Sequence, residues 1–133
     1  MDSSEAKGSA SLEEWDRLCR EAQTCLERAR SGEKTALADM KQLWQQIKAL
    51  GAATGVPSVI VLGSAIESLS DAWQRARAGG REHPDAARVV QEALETLPML
   101  ARGQVPRGSG VLKSLCLRAT EVTQALGQNA PPP

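Results

Sequence analysis

Few side chains in this 133-residue chain could do chemistry. His83 is the one imidazole, in "GGREHPD" (79–85), a predicted loop just ahead of a helix start. No carboxylate and nucleophile are ordered around it as a catalytic set requires. Cys19, Cys25 and Cys116 form no CxxC pair. Cys19 and Cys25 lie on one predicted helix, too far apart along its axis for an easy disulfide. With a single histidine there is no metal-ligand spacing, so no metal and no cofactor are expected. Glu92 and Glu95 are the nearest thing to a carboxylate pair and read as a solvated helix face. A phosphate-cradling glycine loop is missing from the sequence.

What remains is "QLWQQIKALGAATG", Gln42 to Gly55. On a helix, Lys41, Gln45, Lys48 and Ala52 share a face. Two lysines bracket a glutamine, and small residues follow: Ala49, Gly51, Ala52, Ala53 and Gly55. Such a face can offer charge, hydrogen bonds and close approach. It cannot form bonds, because the carboxamide nitrogen of Gln45 delocalises its lone pair and is neither base nor nucleophile at neutral pH.

These residues need a frame to hold them, and the apolar periodicity supplies helices with no convincing strand pair. Leu12, Trp15, Leu18, Cys19, Cys25 and Leu26 stripe a first helix, expected to start at the "SLEE" capping box at Ser11 and to stop at "SGE". Leu37, Met40, Leu43, Trp44, Ile47 and Leu50 stripe a second, from about Thr35 to Ala53, closed by Gly55 and Pro57. A third spans Pro57 to Ala78. Its β-branched opening could be a buried strand, but Leu62, Ile66, Leu69 and Trp73 continue at helical spacing. Pro84 opens a fourth, which Pro98 should end or kink. A fifth runs from about Ser109 to Leu126. Residues 1–10 and the proline-rich 127–133 are expected to be disordered tails around a single helical domain at 11–126. Short loops between helices of this length predict an up-down antiparallel four-helix bundle with one additional terminal helix.

Composition narrows the function. Lys+Arg and Asp+Glu are both 16, so no net field draws in nucleic acid or an anionic membrane. With no Phe, no Tyr and three Trp, stacking platforms for single-stranded nucleic acid are lacking. The tryptophans lie within apolar stripes and read as core. Arg75, Arg77 and Arg81 read as a solvated helix end. The polar N-terminus has no signal-peptide core, no apolar run is long enough to span a membrane, and a cytoplasmic setting is expected.

One longer stretch, "QQIKALGAATGVPSVIVLGSAIE" (45–67), resembles the core of the histidine-containing phosphotransfer (HPt) domain. That family carries a His, a hydrophobic residue two positions on, then Lys and Gly, a further Gly seven residues after the Lys, and a Leu-Glu pair on the next helix. Ile47, Lys48, Gly55 and Ile66-Glu67 fall at those places, and Val59 and Leu62 match apolar positions. Gln45 stands where the phosphoaccepting His belongs, and Ala49 where the Gly belongs.

The resemblance implies a phosphotransfer fold without phosphotransfer chemistry: a non-catalytic module that binds a receiver domain or a histidine kinase. Lys41, Gln45, Lys48, Ala49 and Ala52 would form its partner face. The alternatives are an active phosphorelay protein with an unusual acceptor, or a helical adaptor unrelated to phosphorelay. The apolar segment Val56–Ile66 is either buried on most sides or exposes one side as a homodimer or kinase-binding surface.

Overall fold

Apolar residues at three-and-four spacing become helices along this chain. The computed structural model describes residues 3–103 and 110–128, and every regular element among them is helical. The order is α1 (Ser3–Arg30), α2 (Ala36–Thr54), α3 (Pro57–Ala78), α4 (Ala86–Ala101) and α5 (Val111–Gln128). Helix α3 keeps the expected bounds, and its β-branched opening is helix, not strand. The reason lies in its period: Val59, Leu62, Ile66, Leu69 and Trp73 all reach the core along one face.

Three expectations need correction. Helix α1 does not begin at the Ser11 capping box; its backbone is helical from Ser3. Glu5, Ala6, Lys7 and Ala10 are good helix formers, and no proline interrupts them, so nothing forces a start at Ser11. Pro98, expected to end or kink α4, does not end it: the helix continues to Ala101. The ring removes one amide donor, but the extra turn puts Leu100 into the core at 7% exposure. Gly127 and Gln128, assigned to the tail, close α5, while residues 129–133 lie outside the described segment.

The core draws on all five helices. Trp15, Trp44 and Trp73 are buried, as their stripes predict, among aliphatic side chains such as Leu18, Leu26, Leu62, Leu97 and Leu115. Burying each large aliphatic contributes roughly 1.5–3 kcal/mol. That burial far outweighs the exposed i,i+3 and i,i+4 ion pairs on α1. Helix α1 packs on α2 and α4, α3 packs on α2, α4 and α5, and α4 also meets α5. The fold is therefore a helical bundle in which α1 is part of the core.

Polar side chains tie the corners. Arg28, at the end of α1, donates to Glu33 (2.9 Å), Thr35 (3.1 Å) and Asp39 (3.0 Å), joining α1 to the start of α2. After α3, Glu82 accepts from Trp73 Nε1 (2.9 Å) and Arg77 (2.6 Å), and Arg77 lies over the Trp73 ring. Arg81 donates to the Leu126 carbonyl at 2.9 Å. The arginines read as a solvated helix end thus have intramolecular partners, with Arg75 on Asp71.

Candidate functional site

The site is built on α2 and α3, and the turn between them decides its geometry. Gly55 closes α2 at φ 73°, a left-handed conformation that suits glycine. Its N–H bonds the Ala52 carbonyl (3.4 Å), and Val56 N–H bonds the Gly51 carbonyl (2.8 Å). Pro57 then fixes the first turn of α3. With so short a turn the helices must come back along each other. Their contacts show it: Gly51 meets Val59, Lys48 meets Gly63, Gln45 meets Glu67 and Lys41 meets Asp71. Partner numbers rise on α3 as they fall on α2, so the pair is antiparallel.

Glycines set the separation. A Cβ on Gly51 would sit 2.9 Å from Val59 Cγ1, and one on Gly63 would sit 2.5 Å from Lys48 Cγ. The small residue at Gly51 thus makes room for α3 itself. Gly63 makes a bed for the aliphatic stem of Lys48, which snorkels outward to its charged end.

That end meets a polar ladder across the helix pair. Lys48 Nζ lies 2.5 Å from Glu67 Oε2. Gln45 Nε2 donates to Glu67 Oε1 at 3.1 Å. One turn away, Lys41 Nζ donates to Asp71 Oδ1 at 2.8 Å, and Arg75 pairs with the other Asp71 oxygen. Glu67 and Asp71 stand four residues apart on α3, matching the pitch of Lys41, Gln45 and Lys48 on α2. The Lys48 hydrogen bond, chiefly, holds the Glu67 carboxyl below the usual carboxylate range, against partial burial that would raise it. Lys41 does the same for Asp71, again against burial, with help from Arg75. Side chains on both pairs are 22–30% exposed, so each pair is partly screened and contributes on the order of 1 kcal/mol or less. An open groove of about 580 Å³ runs beside the ladder, closed on its far side by Thr123 and Gly127 of α5.

The structure gathers the expected site residues on one face. Gln45, Ala49 and Ala52 are exposed, and Lys41 and Lys48 are half-buried. Glu67, Asp71 and Gly63 were not among the expected site residues. Glu67 was visible only as the end of a family motif, and the acidic i,i+4 pair on α3 was the signal that could have found both carboxylates. The Val56–Ile66 segment is divided: Val59, Leu62 and Ile66 are buried, while Ile60 (36%) and Val61 (55%) are exposed. The reading of this segment as buried on most sides is thereby corrected, because only one face of α3 meets the core. Ile60 shares its stripe with Ser64, Glu67 and Asp71, so the ladder has an apolar shoulder.

Other chemistry finds little footing. His83 Nδ1 accepts the Asp85 amide N–H at 3.1 Å, a local turn contact before α4. Burial pushes the Cys19 thiol up to about 11, and Cys25 and Cys116 are raised by burial too, so these free thiols stay protonated at neutral pH. Glu92 is half-buried and paired with Arg118, a departure from the expected solvated face. Among the described residues no cluster of His, Cys, Asp or Glu could hold a metal. No helix there is long and apolar enough to cross a membrane.

No family model matches this chain, and no curated protein or solved structure matches it. The likeness to phosphotransfer domains rests on the motif residues alone.

Proposed function

With the ladder on α2 and α3 as the premise, we infer that this chain is a non-catalytic, HPt-like interaction module of two-component signalling. It binds a receiver domain or a histidine kinase through the α2–α3 face and does not transfer phosphate. An up-down four-helix arrangement with one additional terminal helix, and a cytoplasmic setting, belong to the same reading. The observation that carries it is the position of Gln45: exposed, one turn from Lys48, opposite Glu67, with Ala49 and Ala52 beside it. This is where the motif would present a phosphoaccepting imidazole, and the residue there can only exchange hydrogen bonds.

The module would act by occupancy. An acidic receiver pocket is steered by Lys41 and Lys48, while Ala49, Ala52 and Ile60 supply apolar contact at close range. It would cover the receiver's pocket or compete with an active phosphotransfer protein. A homodimer through the exposed Ile60 and Val61 would compete for the same shoulder of the face.

One observation favours a second reading, a helical adaptor without phosphorelay links: both lysines already have carboxylate partners within the chain. An active phosphotransfer protein would need His83 as acceptor, and its Nδ1 lone pair is engaged with Asp85.

The test is a binding titration with purified receiver domains, comparing wild type with Lys48→Glu. Incubation with phosphorylated kinase runs alongside. The module reading expects binding that falls at least tenfold in the variant, and no acid-labile label on either chain. Equal binding by both would favour the adaptor, and label that disappears with His83→Gln would establish an active relay.

A further inference from the structure

We propose that Glu67 is a competitor in cis: its carboxylate occupies Lys48 and Gln45 in the free chain and gives way when an acidic partner docks, so it sets the affinity of this face. The inference rests on the module reading and deepens it by naming what the partner must displace.

Three observations lead there. First, both oxygens of Glu67 are committed to the α2 face, one to Lys48 and one to Gln45. A partner carboxylate seeking those donors meets one already in place. Second, the two rungs of the ladder are unequal. Asp71 is clamped between two cations, Lys41 and Arg75. Glu67 has one cation and one neutral amide, and charge-assisted bonds are the stronger kind. Glu67 is therefore the rung that opens. Third, Gly63 seats the Lys48 stem against α3, which fixes where the ammonium emerges. Lys48 can change carboxylates without leaving its bed.

The partner this fits is a surface with clustered carboxylates. Exchange of one carboxylate for another gains little electrostatic energy, so the wild-type face is held to modest affinity and discriminates by shape. Removing the charge of Glu67 leaves Lys48 without its counterion and favours any acidic partner.

Two measurements on the full chain test this in Glu67→Gln, with Glu13→Gln as an exposed control. The first is the acylation rate of the Lys48 amine, read by peptide mass spectrometry. It needs no partner, and a rise of about twofold or more is expected as the ammonium loses its pair. The second is affinity for a purified receiver domain, expected to tighten roughly three- to tenfold in Glu67→Gln and to stay unchanged in the control. An unchanged Lys48 rate overturns the proposal whatever the receiver does. If wild type binds and Glu67→Gln binds equally or more weakly, the competitor role is overturned while the module reading stands. If neither chain binds any receiver, both fall together.

Discussion

The two ends of the α2–α3 pair are held by different means. Near the turn, Gly51 lets Val59 into contact and no charge is involved. Toward the other end, the helices are bridged by Lys48–Glu67 and Lys41–Asp71. The difference shows what small residues do in this helix pair. At Gly51 the missing side chain is filled by the chain itself. At Gly63 it is filled by the stem of a lysine whose charge goes elsewhere. Ala49, Ala52 and Ala53 keep their smallness for the outside.

The largest break comes between the two ends, at Trp44, which is fully buried and lies 3.7 Å from the position of a Cβ on Gly63. Trp44→Ala should cost about 3–5 kcal/mol by chemical denaturation and loosen both ends at once. A smaller but more selective break is Gly51→Ala. The added methyl meets Val59 and the Val56 carbonyl oxygen, at 2.9 and 3.3 Å. Overpacking of about 1–3 kcal/mol is set against a gain of about 1 kcal/mol in helix propensity, for a net loss of up to about 2 kcal/mol.

Gly63→Ala sharpens the contrast. Its methyl meets the Lys48 stem at Cγ (2.5 Å) and Cδ (3.2 Å), not backbone, so the clash is relieved only if the whole stem swings away at χ1. Stability should stay within about 1 kcal/mol of wild type, while the Lys48–Glu67 pair is lost. A thermal melt and the Lys48 acylation rate read the two effects separately. Equal destabilisation by both glycine substitutions would erase the distinction between the two ends.

The smallest effect is on acid stability. Glu67 and Asp71 are held below their ordinary range in the folded chain. Their contribution is present above the unfolded carboxylate values, near pH 4, and is lost as pH falls through the lower folded ones. Glu67→Gln with Asp71→Asn should flatten stability against pH below about 4 by at most about 1 kcal/mol per pair, and leave its shape above pH 5 unchanged.

Much of the fold was legible in the sequence because helix stripes are local. Val59 to Trp73 declare their helix without reference to the rest of the chain, and Gly55 and Pro57 declare the end of α2 and the start of α3. What the sequence did not reveal depends on contacts between helices. Lys48 reads as a surface cation until Glu67 is placed across from it. Gly63 gives no signal of its own in the sequence until the Lys48 stem lies on it. The start of α1 was misplaced for the opposite reason: a capping-box pattern at Ser11 is only permissive, and neighbouring helix formers carry the helix through it.

The most direct measurement is a chemical-shift map of the ¹⁵N-labelled chain titrated with a receiver domain. The module reading predicts perturbed amides centred on Lys41, Gln45, Lys48, Ala49 and Ala52, with those of Glu67 moving as its carboxylate is displaced. Perturbations gathered instead around Leu117 on α5, with the α2–α3 face silent, would contradict it.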